Sequence, residues 1–182
     1  MRANRKPLLR LILVMLTVSV LPHRAVLLPS AREWTLEAAN ATADGHVRLG
    51  FGLAETDDTS IRFSCAPESN VLDMIIFHTQ QRMKRGSPAT ARLLAGRTRW
   101  PIRGTIRAND ESLDESFTAS VAFDAARFMR LAEADQLQFS VGRGTTQTAQ
   151  LAGSGEKFRQ FSLLCAKPRR NSRPLVFLPH NR

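Results

Sequence analysis

Gly153 to Cys165 reads GSGEKFRQFSLLC, and the rest of the 182-residue chain is best understood outward from it. Phe158, Phe161, Leu164 and Cys165 recur at the three- and four-residue spacing of one helix face, which predicts a short closing helix with those side chains inward. Gly153 opens it, Ser154 stands where a hydroxyl can cap the first free backbone N–H groups, Lys167 suits the negative end and Pro168 stops it. Cys165 has one partner in the sequence, Cys65. Their pairing would tie the end of the folded region to its first third.

The pairing depends on compartment. Arg2, Arg5, Lys6 and Arg10 precede an apolar run from Leu11 to Leu21 (LILVMLTVSVL) that Pro22 ends, the charged-then-apolar order of a secretory signal peptide. An uncleaved anchor competes with this reading. His23 and Arg24, however, interrupt the run short of the roughly 20 residues that span a bilayer. Residues 1–31 are therefore read as an export signal, which predicts a periplasmic or secreted protein without a transmembrane span in its mature form. Two cysteines in an oxidising compartment pair, and closing a loop of this size is worth about 4–5 kcal/mol in the chain-entropy model. Two separate buried thiols are the alternative if the chain stays in the cytosol.

The formal net charge is +10, yet ten of the 26 basic residues lie before residue 32 or after residue 166. The other 16 balance the 16 acids, all of which fall between. The basicity belongs to the ends, so it is no sign of a nucleic-acid-binding domain.

Within residues 32–166, polar and apolar side chains alternate as in half-buried strands over Glu33–Glu37, His46–Ala54, Ser60–Cys65 and Val71–Thr79. Asp44-Gly45 is a turn dipeptide between the first two, and the fourth is apolar enough to be central in its sheet. Gln80 to Arg99 breaks the pattern with Gly86, Pro88 and Gly96 and is expected as an exposed loop or ragged hairpin. Alternation resumes at Trp100–Ala108, with Arg103 and Arg107 outward, and continues at Ser116–Phe123 after an acidic turn. Asp124 should cap a helix over Ala125–Ala134, followed by strands at Gln136–Val141 and Gln147–Ala152. The expectation is an α+β, mainly β fold: an antiparallel β-sandwich or barrel-like domain with two short helices and one disulfide. A basic disordered tail over residues 167–182 follows it.

Cys65, the segment Asp124 to Leu137, Gly153, Ser154, Phe161 and Cys165 together resemble the small bacterial periplasmic proteins of the invasion-associated locus B type. The resemblance covers about two thirds of the chain and rests on spacing. It implies a β-sandwich-like fold with a disulfide and a role at the cell envelope or in host contact. It supplies no active-site residues, and neither the basic 82–107 segment nor the tail belongs to its pattern.

Chemistry-bearing motifs are sparse. His46 and His78 are the only histidines in the predicted domain, and neither stands at zinc-ligand spacing. Paired cysteines cannot be nucleophiles. The serines lack a nucleophile elbow, and Gly153 to Lys157 departs from the phosphate-loop spacing. Asp57-Asp58, Asp110-Glu111 and Asp114-Glu115 read as solvated turns. No catalytic residue, cofactor or metal ligand is therefore assigned. The positive feature is Arg82, Lys84, Arg85, Arg92, Arg97, Arg99, Arg103 and Arg107, eight cations in 26 residues without an acid. Either this is a solvated face neutralised by Asp110 to Glu115, or it is a basic loop that contacts an anionic envelope component or an acidic protein. Nucleic acid fits poorly because stacking platforms need several aromatic rings and the chain has no tyrosine. Two functions follow: a non-enzymatic envelope protein of interaction or structural type, or a small hydrolase or ligand-binding β-barrel with a pocket near His78.

Overall fold

The alternating segments form one antiparallel sheet of nine strands in a computed structural model that describes residues 31–166 except 54, 55, 57, 68, 78, 80–82 and 109–114. The expected export signal and tail, His78, Arg82 and most of the acidic turn lie outside the described residues. The strands are β1 (Arg32–Glu37), β2 (Val47–Leu53), β3 (Thr59–Cys65), β4 (Val71–Ile76), β5 (Pro88–Ala95), β6 (Thr98–Ala108), β7 (Glu115–Ala122), β8 (Gln136–Val141) and β9 (Gln147–Gln150). Helix α1 spans Ala125–Ala132 and α2 spans Gly155–Cys165. The sheet order is β1-β2-β3-β4-β7-β6-β5-β8-β9, so β4 is internal, as its apolar sequence requires. Of the two architectures expected, the barrel-like one is observed.

The sheet curls until its two edges nearly meet. The Trp34 indole N–H of β1 donates to the Gln150 carbonyl of β9 at 2.8 Å, and Lys157 of α2 donates to the Trp34 carbonyl. Inward residues then fill the interior from every strand, among them Leu49, Ile61, Phe63, Leu72, Met74, Leu93, Ile106, Phe117 and Phe139. The two helices close the core with rings. Phe128 of α1 lies 5.1 Å from Phe158 and 5.2 Å from Phe161 of α2, 5.2 Å from Phe63 and 5.5 Å from Phe123, making it the hub of the cluster. Edge-to-face and offset contacts of this kind add to the burial of each ring. Asp124 caps α1 as expected, its carboxylate accepting from the Arg127 backbone N–H at 2.9 Å.

Cys165 and Cys65 are joined, their Cα atoms 5.8 Å apart, across 100 residues of sequence. The bridge fixes the rotation of α2, and here one expectation fails. Phe158, Phe161, Ser162 and Cys165 are inward, at positions i, i+3, i+4 and i+7, whereas Leu164 is 42% exposed. Ser154 sits at the N-cap position, but its hydroxyl donates back to the Leu151 carbonyl at 2.8 Å rather than accepting from the helix.

Of the two expectations for Gln80 to Arg99, the hairpin is observed and the exposed loop is not: its second half is β5, which turns into β6, is internal to the sheet and pairs with both β6 and β8, with Ala91, Leu93 and Ala95 buried. Gly96, at a φ of +55°, and Arg97 make the two-residue turn into β6. The alternation is present at Ala91, Leu93 and Ala95, but the small inward side chains, Arg92 on the other face and the flanking Pro and Gly give it the composition of a loop.

Gly104 sets the corner of the barrel. Up to Thr105, β6 pairs with β5, and from Thr105 onward with β7. A Cβ at Gly104 would lie 2.2 Å from the Thr118 carbonyl oxygen and 2.6 Å from the Phe117 ring. Only glycine permits this approach where the strand changes partner.

Candidate functional site

Arg103 and Arg107 lie on the outward face of a strand as expected, and Arg92 and Arg99, expected on an exposed loop or ragged hairpin, lie on strand faces too. Along β6 the inward side is Trp100, Ile102, Gly104 and Ile106, so strict alternation turns Arg99, Pro101, Arg103, Thr105 and Arg107 outward. Arg92 is exposed on β5 opposite Pro101, and Arg97 sits in the turn between the strands. Lys84 and Arg85 precede β5 and are exposed. Arg82 lies outside the described residues. The seven described cations therefore divide into those on β5, β6 and the turn between them and a separate approach segment of Lys84 and Arg85.

Among the described residues, Arg97, Arg99, Arg103 and Arg107 meet no carboxylate at ion-pair distance. Glu115, the described member of the expected neutralising turn, holds no arginine either. Its carboxylate accepts from the Met83 backbone N–H at 2.7 Å and so fixes the approach to β5. Arg92 donates to the Gly142 carbonyl at 2.8 Å, which orients its guanidinium, and it meets no carboxylate among the described residues.

Two clefts open on this face. The first, about 430 Å³, is bounded by Arg92 and Arg99, with Leu94 and Pro101 as an apolar floor and Gln138 and Ser140 of β8 on its far wall. The second, about 470 Å³, lies at the barrel corner between Arg103 and Arg107, with Thr105, Thr118 and Ser120 supplying hydroxyls. It also holds Asp73, whose carboxylate accepts from the Ser120 hydroxyl. A guanidinium carries five N–H donors in a planar fork, so each cleft presents charged donors beside neutral polar groups.

Other candidates organise differently. His46 immediately precedes β2, its imidazole Nδ1 3.0 Å from the Asp44 carbonyl oxygen and 3.5 Å from the Asp44 carboxylate. A cleft beside Ile76, Thr79 and Met83 holds about 10 Å³, and His78 lies outside the described residues. A polar cleft of about 380 Å³ on β1 to β3 is lined by Glu37, Arg48, Thr35, Thr59 and Arg62, so its charges are mixed. Among the described residues no group of histidine, cysteine, aspartate and glutamate could hold a metal ion, and no buried side-chain nitrogen or oxygen lacks a partner. No described helix is long and apolar enough to cross a membrane.

The outward direction of Arg103 and Arg107 was legible from alternation. Gln138 and Ser140 of the first cleft were not, because only the pairing of β8 with β5 brings them there. Comparisons with protein-family models, with curated proteins and with solved structures found no match to this chain.

Proposed function

We propose that this is an exported cell-envelope protein of non-enzymatic, interaction or structural type, which contacts an anionic partner through the outward face of β5 and β6. The likeness to the invasion-associated locus B type belongs to the same reading, as does placement in the periplasm or outside the cell. The observation that carries it is the row of Arg99, Arg103 and Arg107, exposed and without a carboxylate partner among the described residues. Like charges held in a row repel one another, and an incoming anion relieves that repulsion while gaining charge-assisted hydrogen bonds. The hydrolase or ligand-barrel alternative needs an apolar cavity on which His78 and a carboxylate converge, and no observation among the described residues favours it.

The test compares the native protein with a variant carrying Gln at positions 92, 99, 103 and 107. Probes are phosphatidylglycerol vesicles, polyglutamate and polygalacturonate, at low and at high salt. At least one probe should bind the native protein at low salt, release it at high salt and ignore the variant. Equal binding by both proteins, or binding of no anion, ends the proposal. Fractionation of cells expressing the full chain tests export, with a cytosolic product as the adverse result.

A further inference from the structure

We infer that the two arginine-flanked clefts along β6 are consecutive subsites for one linear, carboxylated polysaccharide. This rests on the reading of the same face as an anion-binding surface and specifies its occupant. The floors of the clefts are Pro101 and Thr105, four residues apart on one strand, which at about 3.3 Å per residue separates them by no more than about 13 Å. A single small anion fills one cleft and leaves the other vacant. A repeating polyanion fills both with one molecule, and the second contact then forms at high effective concentration.

The neutral groups distinguish among polyanions. Hydroxyls of Thr105 and Thr118 in one cleft, and Ser140 with the Gln138 amide in the other, are partners for sugar hydroxyls. Leu94 and Pro101 offer an apolar floor to the C–H face of a ring. A lipid surface would call for apolar side chains to insert, but the exposed large hydrophobic residues, Val71, Leu163 and Leu164, line neither cleft. Nucleic acid would call for exposed rings, and Trp100 is 6% exposed with its face against Arg127. An acidic peptide gains most from adding to a sheet edge, whereas β5 and β6 are both paired on two sides.

Asp73 is the one carboxylate among the described residues that line either cleft, and it opposes an anion in the second. It provides a signed test. Calorimetric titration of the purified protein with oligogalacturonates from the monomer upward should show affinity rising by about 100-fold once the oligomer spans both clefts. R99Q and R103Q, one per cleft, should each weaken the long oligomer about tenfold, while D73N should strengthen it and R130Q, on α1, should change nothing. R107Q serves as the second variant for the corner cleft, and matched thermal melts establish that each variant is folded. Equal affinity for monomer and long oligomer, or loss of binding through one cleft alone, overturns the two-subsite inference. If polyglutamate or anionic vesicles bind and oligogalacturonate does not, the inference falls and the anionic-partner reading stands. If no anionic probe binds, both fall.

Discussion

On β1 to β3 and α2, cations and acids are matched. Arg32 is 2.9 Å from Asp58, Arg48 is 2.8 Å from Asp44 and 3.9 Å from Glu37, and Arg159 is 2.6 Å from Glu156. On β6, Arg99, Arg103 and Arg107 have no such neighbours among the described residues. Both regions are exposed strand or helix surface carrying arginine, but residues 82–107 contain no acid, whereas Glu33, Glu37, Asp44, Asp58 and Glu156 lie in or beside the first region. The difference teaches that in the first region charge is paired within the fold, whereas in the second the described residues leave it unpaired, which is what the proposed anionic contact requires.

The comparison breaks first at the core under the matched half. Phe128→Ala removes the ring that touches Phe63, Phe123, Phe158 and Phe161, and should cost about 3–5 kcal/mol in denaturant unfolding. A loss below about 1 kcal/mol would mean that the rings do not act as one cluster. Replacing Cys65 and Cys165 together by alanine should cost about 2–5 kcal/mol, seen as a lower urea midpoint that reductant no longer shifts. Gly104→Ala should cost about 2–3 kcal/mol because a backbone carbonyl blocks its methyl group, and it should also impair binding at the corner cleft.

Acid sharpens the contrast. The Arg48 guanidinium, with the His46 backbone N–H, holds the Asp44 carboxyl down at about 2, and Arg159 with Gln160 lowers Glu156. A carboxyl depressed on folding stabilises above its unfolded value of 3.8, and that stabilisation disappears as pH falls through about 2. Melting temperature should therefore drop between pH 4 and pH 2, and Arg48→Gln should flatten that drop while moving the Asp44 titration, followed by NMR, towards the ordinary range. The smallest effect belongs to the unmatched row. Arg99, Arg103 and Arg107 replaced by glutamine should change stability by less than about 0.5 kcal/mol each, in either direction. A larger loss would place these side chains in the service of the fold after all.

Most strands were legible because each carries its own alternation, and β3 even showed that Cys65 shares a face with Ile61 and Phe63. The strand β5 was hidden because its inward side chains are mostly small and its outward ones resemble a loop. The phase of α2 was misread at Leu164 because a leucine and a serine at neighbouring positions look unequal in hydrophobicity, whereas the bridge to β3 sets which of them turns in. The row of arginines was visible, but its clefts were not. They need β8 beside β5 and β7 beside β4, pairings between strands distant in the chain.

By itself, then, the sequence determined the mainly β class, the capped helix at Asp124 and that Cys65 is the only possible disulfide partner of Cys165 within the chain. These depend on local periodicity, one side-chain hydrogen bond and arithmetic. Strand order, the hub at Phe128, the corner at Gly104 and which arginines find a carboxylate partner among the described residues were decided only in three dimensions. Which distant groups become neighbours depends on how the whole sheet closes, and no short stretch of chain carries that information.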